Sequence, residues 1–450
     1  MKFRYNKICS ALIAALAIAS SFALQSCEDE PDKFELTGGK PTIYYIRPAD
    51  VNASDSLLVQ AYPQAQICIV GENLTSIQQM YFNDQKAILN TSFITEKTLV
   101  VQIPSDIPDE VSDKIYMITK DKDTLTYDFH IVVPAPVVAS MSCEFAKPGT
   151  TATIYGSYFV DDPNVPIVVT FPDGTVISNF TTKTRSVLSF EVPNCTTEGT
   201  ISVTSIYGTG TSSFHYLDSR GLLFDFDTPN VKTGAVLGNH GWHAQVIETD
   251  ETALSGNFLR LGGTSVTLDA DGSWNDGNFS FEYWPGNWAD PETYSGDGVR
   301  LTDLADFSDY SNMAYKFEMY VPSANPWSAG AMQVIVGGVT KISMGSAGVS
   351  DIYGNVLAGC NNSYFNNDEL PRALYRPWES TGSYDTGDEW VTVTIPMSDF
   401  KYGMSGSAAT GSLSASDFTS LTLFVVGGGI TGTECNPVIK IDNIRAVPNK

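Results

Sequence analysis

Cysteine, histidine and positive charge are scarce in this 450-residue chain: 7 Cys, 4 His, and 26 Lys and Arg against 51 Asp and Glu. No Cys-x-x-Cys pair occurs, which argues against a zinc or dithiol centre. His240 and His243 flank Gly-Trp but lack a nearby third ligand, so no metal and no cofactor are predicted. A net charge of −25 without a local basic patch repels nucleic acid and anionic lipid, so neither is expected as a partner. There is no Gly-x-Ser-x-Gly elbow, which removes one common esterase design. Helical periodicity nowhere persists beyond two turns, so a helical fold is excluded. Of the Cys residues beyond residue 30, Cys68, Cys143, Cys195, Cys360 and Cys435 are odd in number, leaving at least one thiol free. Cys143 with Cys195, or Cys360 with Cys435, could pair in an exported protein; separate buried thiols fit equally well.

What is present begins with a leader. Lys2, Arg4 and Lys7 precede an apolar run from Ile8 to Leu24, the pattern of a secretory signal too short and too poorly flanked to span a bilayer. Leu24-Gln25-Ser26-Cys27 follows, and then Glu28-Asp29-Glu30. This junction resembles a bacterial lipobox, whose Cys becomes the acylated N-terminus. The acidic run resembles the export tag of surface lipoproteins in Bacteroidota. The resemblance implies a signal peptide over 1–26, lipidation at Cys27, and an outward-facing position on the cell outer membrane. Losing the leader's three basic residues takes the net charge from −25 to about −28. The alternative is an ordinary cleaved signal with a chance Cys.

An acidic tether over 27–40 leads into short strands punctuated by turn residues, and the expected fold class is all-β. A repeat is legible. Pro41-Thr-Ile-Tyr-Tyr-Ile-Arg-Pro48, Ile67-Cys-Ile-Val-Gly71, Tyr81-Phe-Asn83 and Leu99-Val-Val-Gln-Ile-Pro104 make the first unit. Pro136-Val-Val-Ala-Ser-Met141, Thr153-Ile-Tyr-Gly156, Val168-Val-Thr-Phe171 and Leu188-Ser-Phe-Glu-Val-Pro193 make the second. Gly71 to Gly156 is 85 residues, the size of one immunoglobulin-like sandwich. The pattern resembles IPT/TIG domains, which implies spacers over 41–134 and 135–218. The second unit departs from it by lacking Asn before its aromatic. Neither unit shows a cluster of exposed aromatics or catalytic groups in its sequence, which favours the spacer role.

Residues 219–450 form a larger unit. Strands are predicted at Leu222–Phe226, Phe258–Leu261, Phe279–Tyr283, Tyr315–Val321, Met332–Val336, Val391–Ile395, Leu421–Val426 and Val438–Ile444. Eight strands without helical crossovers indicate a jelly-roll-like β-sandwich. All seven Trp lie after residue 240, many in long loops. These hold Trp284, Trp288 and Tyr294; Asn325-Pro-Trp327; and Tyr353, Tyr364-Phe365, Tyr375-Arg376-Pro-Trp378 and Tyr384. A flat aromatic ring matches the C–H face of a hexose, while amides, carboxylates and guanidinium groups suit its hydroxyls. Asn287, Asp290, Asn325, Asn361, Asn362, Asn366 and Arg376 are nearby in sequence. Phe279, Phe281, Phe317, Phe424 and Trp390 sit at strand positions and are expected in the core.

Tyr315-Lys-Phe-Glu-Met-Tyr-Val-Pro322, Asn325-Pro-Trp-Ser-Ala-Gly-Ala-Met332, Arg376-Pro-Trp378 and Trp390 through Phe400 look like a family signature. With the leader and spacers, the chain resembles the second surface glycan-binding proteins of Bacteroidota polysaccharide-utilisation loci, of the xyloglucan- or β-glucan-binding type. The resemblance implies a non-enzymatic lipoprotein that holds a β-glucan on an aromatic platform for a SusC/SusD-like complex. It implies Trp288 and Trp327 as the stacking pair, with Trp378, Tyr353, Tyr364, Phe365, Arg376 and Asn325 as further contacts. Two other readings compete: a glycoside hydrolase using two of Glu282, Asp290, Glu292 and Glu379, and a protein-binding adhesin.

Overall fold

The computed structural model describes residues 34–53, 55–227, 245–283, 300–338 and 368–449. The fold class is all-β, and the chain divides into two compact units, one ending at Val133 and one starting at Pro134.

In the first unit, strands Thr42–Pro48, Gln66–Glu72 and Thr98–Gln102 form one antiparallel sheet. Gln85–Ala87, Ile77–Phe82, Lys114–Thr119 and Thr124–Asp128 form the other. Ile46, Ile67, Ile69 and Leu99 from one and Met80, Phe82, Ile115 and Met117 from the other are all buried. Tyr44, Tyr62 and Phe93 are each more than half exposed. No ring contact joins Tyr44, Tyr62 and Phe93 among the described residues, so they are single exposed aromatics. Tyr44 sits at the register shift of the strand Thr42–Pro48, and Tyr62 and Phe93 lie outside the strands, so none of the three follows the alternation that sends strand residues inward.

The second unit holds both the second immunoglobulin-like sandwich and the C-terminal sandwich. The repeat seen in sequence has a physical basis here. Gly71 lies against Thr42 and Gly156 against Val137, each beside a register shift in the opening strand. A Cβ on either glycine would meet that residue's carbonyl oxygen at 2.0 Å and 1.9 Å respectively, so neither position admits a side chain.

In the C-terminal sandwich, the larger sheet runs Ile247–Glu248, Phe258–Gly262, Val438–Pro448, Met313–Tyr320, Val391–Pro396, with Leu222–Phe224 also on Val438–Pro448. The smaller sheet runs Ser280–Tyr283, Ser420–Val425, Met332–Gly337, Arg372–Tyr375. Leu259, Leu261, Tyr315, Phe317, Met319, Ile439 and Ile441 face Phe281, Tyr283, Met332, Val334, Leu421 and Leu423 across one core. All eight predicted strands are present. Ile247–Glu248 and Arg372–Tyr375 were not predicted.

Alternation sends Lys316, Glu318, Tyr320, Lys440 and Asp442 to the outer face of the larger sheet, and the second sandwich covers it. Arg445 bonds Glu318 at 2.8 Å and Glu144 of the second sandwich at 2.7 Å, and Lys316 bonds Glu144 at 2.5 Å. Thr392 receives the Glu144 N–H at 2.7 Å and donates to Glu318 at 2.9 Å. Phe258, Tyr320 and Trp390 join the hydrophobic core of the second sandwich. Trp390 is a packing residue, as expected, with its indole N–H on the Thr252 carbonyl. The boundary expected at 218/219 is thus a fused seam within one unit.

Cys68, Cys143, Cys195 and Cys435 are free thiols, so neither expected pairing forms; Cys360 lies outside the described residues. Burial raises the Cys143 thiol well above its ordinary pKa, which makes it inert.

Candidate glycan-binding face

The smaller sheet buries both of its faces, yet only one of them is apolar. Ser280 pairs with Phe424, Glu282 with Thr422, Gln333 with Phe424, and Ile335 with both Thr422 and Arg372. Directly paired residues share a face, so Ser280, Glu282, Gln333, Arg372, Thr422 and Phe424 lie together on the side turned away from the core. Gln333 donates to the carbonyls of Val426 and Met404 at 2.9 Å and 3.2 Å, and accepts from the Arg372 guanidinium at 2.8 Å. Burial pulls the Arg372 pKa down to about 10, with Asp368 opposing it. Ser280 donates to the Glu282 carboxylate at 2.9 Å. The result is a band of hydrogen-bonding side chains two levels deep along the strands and four strands wide, about 14 Å across at ~4.8 Å per strand spacing.

Trp274 stands at one end of this row. Its ring meets Phe424 edge-on, with centroids 4.8 Å apart and planes at 88°. It is 42% exposed, whereas Trp327, Trp378 and Trp390 are all buried. Sequence reasoning passed over Trp274, although Asp271-Gly-Ser273 before it is as turn-rich as the segment before Trp288.

The other end of the row is where two predicted aromatic loops begin. Tyr283 and Val336 both pair with Leu421, one from each side. Both of their strands run antiparallel to Ser420–Val425 and so parallel to each other. Tyr283 and Val336, the last paired residues before 284–299 and 339–367, therefore lie at the same end of the sheet. Trp288, Tyr353, Tyr364 and Phe365 lie on these segments, outside the described residues, as does Cys27.

Trp327 is a correction. Its side chain is 0% exposed, and its indole N–H donates to the Ala329 carbonyl at 2.5 Å. Trp378 is likewise buried, donating to the Gly330 carbonyl at 2.8 Å. Neither ring offers a face to a sugar. Both plug the end of the sandwich where Met332 and Tyr375 pair, opposite the end where Tyr283 pairs with Leu421. Turn residues around them fold the rings back under the sheets. Arg376 and Asn325 serve the same end: Arg376 bonds the Gly428 carbonyl at 2.6 Å and Glu379 at 3.3 Å, and Asn325 bonds the Asn436 carbonyl at 3.0 Å.

Of the carboxylates considered for hydrolysis, Glu282 is buried within the sheet and Glu379 is exposed beside Arg376; Asp290 and Glu292 lie outside the described residues. Glu198, His215 and Asp218 approach one another closely enough to hold an ion. Asp218 there is already held by the Arg220 fork at 2.8 Å to each oxygen.

Comparison with known proteins concerns the C-terminal sandwich as a whole and the full chain. The family described as the surface glycan-binding protein B xyloglucan binding domain matches residues 216–448. The crystal structure of a surface glycan-binding protein B from Prevotella bryantii is 49% identical, with a TM-score of 0.84 over 92% of this chain and 100% of that one. An IPT/TIG domain-containing protein of Bacteroides ovatus is 28% identical over 171 residues, 36% of this chain. The match spans about a third of that relative's length, 34%.

Proposed function

Because the chain belongs to the surface glycan-binding protein B xyloglucan-binding family, we propose that the outer face of its smaller C-terminal sheet holds a neutral β-glucan, xyloglucan or mixed-linkage. The chain is a glycan-binding protein of all-β architecture and not an enzyme. The single observation that carries the site is the buried polar row ending in the exposed ring of Trp274, with two aromatic segments rooted at its far end. An aromatic ring supplies the stacking surface; the buried amide and guanidinium behind it, bonded to each other and to backbone carbonyls, hold the sheet that carries the ring. Trp288, Tyr353, Tyr364 and Phe365 complete the platform in this reading. The strong negative charge suits an uncharged polymer and disfavours a polyanionic one.

Further parts of the proposal concern the setting. Acylation at Cys27 anchors the protein to the outer face of the outer membrane, and the glycan it retains is passed to a SusC/SusD-like import complex. Support comes from the junction Leu24-Gln-Ser-Cys27 and the acidic residues behind it. Metabolic labelling with a fatty-acid probe should mark the intact protein and leave Cys27→Ala unmarked. Affinity electrophoresis of the mature protein against xyloglucan, mixed-linkage β-glucan, β-1,3-glucan and a polyanionic control tests the binding. Retention by a neutral β-glucan is expected; migration unchanged in every gel overturns the assignment.

A further inference from the structure

The seam between the second sandwich and the C-terminal sheet buries acids and bases together, and most of them are matched. Glu144 has Lys316 and Arg445, Glu318 has Arg445, and Asp218 has Arg220. Asp442 has no such partner. It is 0% exposed; its Oδ1 accepts the Asn443 N–H at 2.8 Å, and its Oδ2 is buried without any donor.

A break in strand pairing lies at this residue. One side of Val438–Pro448 pairs with Phe258–Gly262 as far as Ile441, and with Leu222–Phe224 only from Ile444. Asp442 and Asn443 fall in the gap between those two strands. On the other side Asp442 opposes Glu318 and Arg445 opposes Lys316, so Asn443 and Ile444 together face Phe317 alone. Asn443 takes up this bulge at φ 49°, and its N–H meets the Asp442 carboxyl.

The charged groups around that carboxyl either share its sign or are committed elsewhere. Glu318, Asp227 and Asp225 are acids that act on it. On Met313–Tyr320, Lys316 is bonded to Glu144, and the Tyr320 ring lies under the Lys440 ammonium at 5.1 Å. On the last strand itself, Arg445 is divided between Glu318 and Glu144, while Lys440 is bonded to Asp250 and Thr252. Arg260, on Phe258–Gly262, is bonded to Glu248, and Val391–Pro396 brings only the neutral Thr392, on Glu318. Ionised in place, Asp442 would be a buried charge without a counter-charge, and a group so placed gives up its charge instead. Burial pushes its pKa up to about 9 against the Asn443 N–H, with Glu318, Asp227 and Asp225 adding to the rise.

We propose that Asp442 is a neutral carboxylic acid in the folded protein, so that the C-terminal sandwich takes up one proton as it folds and loosens as the medium turns alkaline. Below the unfolded value near ~4, folded and unfolded chains both carry the proton. Between there and the folded value only the folded chain carries it, so stability falls steadily as pH rises. Above the folded value neither carries it, and the loss is complete. Ionisation sets a second negative charge beside Glu318, whose partner Arg445 also holds Glu144 of the second sandwich. A proton thus fastens the last strand where the seam crosses it.

To test this, the full mature protein and Asp442→Asn are unfolded by denaturant across a pH series. Between pH ~5 and ~8 the folding equilibrium constant of wild type should fall about tenfold per pH unit relative to the variant, and the two should run parallel above pH ~9. Infrared spectra of protein carrying carbon-13-labelled aspartate read the proton directly and do not depend on the variant folding. At neutral pH they should contain the carbonyl stretch of a neutral aspartic acid. That band should vanish above pH ~9 and be missing from Asp442→Asn. Superimposed stability profiles overturn the proposal, as does a wild-type spectrum in which every aspartate is ionised at neutral pH.

Discussion

The two outer faces of the C-terminal sandwich are built alike and used differently. Each is a sheet surface that carries charged and polar side chains with almost no exposed area. On the larger sheet these groups are matched by protein: Glu144, Phe145 and Phe214 of the second sandwich meet Lys316, Glu318 and Arg445. On the smaller sheet the row Glu282, Gln333, Arg372 and Thr422 is bordered by Trp274, the exposed tryptophan among the described residues. The difference shows what a polar row under a sandwich can become. Matched by a partner domain it is a seam, and edged by aromatic surface it is the place proposed for a ligand.

Breaking the seam should have the largest effect. Arg445→Ala strands Glu318 in the interior and leaves Glu144 to Lys316 alone, and should cost on the order of 4 kcal/mol by chemical denaturation. Glycan retention by the fraction still folded should be unaltered, because the proposed ligand face lies on the other sheet. Next comes Trp327→Ala, which empties a core site and should cost about 3–5 kcal/mol of stability. A variant with wild-type stability and lost retention would put Trp327 back on the ligand face. Trp274→Ala should act the opposite way. The melting temperature should change little, while affinity for the retained glucan falls about 30-fold, ~2 kcal/mol, as expected for an aromatic anchor. Smallest is Arg220→Gln. Burial alone would raise the Asp218 carboxyl, but the Arg220 fork outweighs it and leaves the pKa below its ordinary value. A depressed acid stabilises the fold above its unfolded pKa near ~4 and loses that contribution as pH falls through the folded value. The stability gap between wild type and Arg220→Gln should thus be under about 1 kcal/mol at neutral pH and narrow further toward pH ~3.

The strands of the C-terminal sandwich were legible because Phe258–Gly262, Met313–Tyr320 and Val438–Pro448 carry dense apolar runs that few loops tolerate. Arg372–Tyr375 was hidden: four residues between Pro371 and Pro377, opened by an arginine, read as loop. The ligand face was legible only in part. Gln333 and Thr422 sit at outward positions, where sequence suggests water, and only the assembled sheet shows them buried. For the tryptophans the sequence cue was the turn before the ring. That cue is the same for Trp274, which points outward, and Trp327, which folds under. A turn fixes where the chain reverses, while the direction of the ring depends on which sheet end lies beneath it. In the repeat, by contrast, Gly71 and Gly156 stood out in sequence because a carbonyl leaves no room for anything else.

The burial of Trp327, Trp378 and Trp390 also sorts the protein's intrinsic light. Indoles sealed in the interior emit toward the blue and are shielded from iodide or acrylamide, whereas the ring of Trp274 is open to both. A quencher should extinguish the Trp274 emission while the interior signal persists, and a bound glucan should protect it. The difference in fluorescence between wild type and Trp274→Phe then becomes an optical gauge of occupancy at that ring.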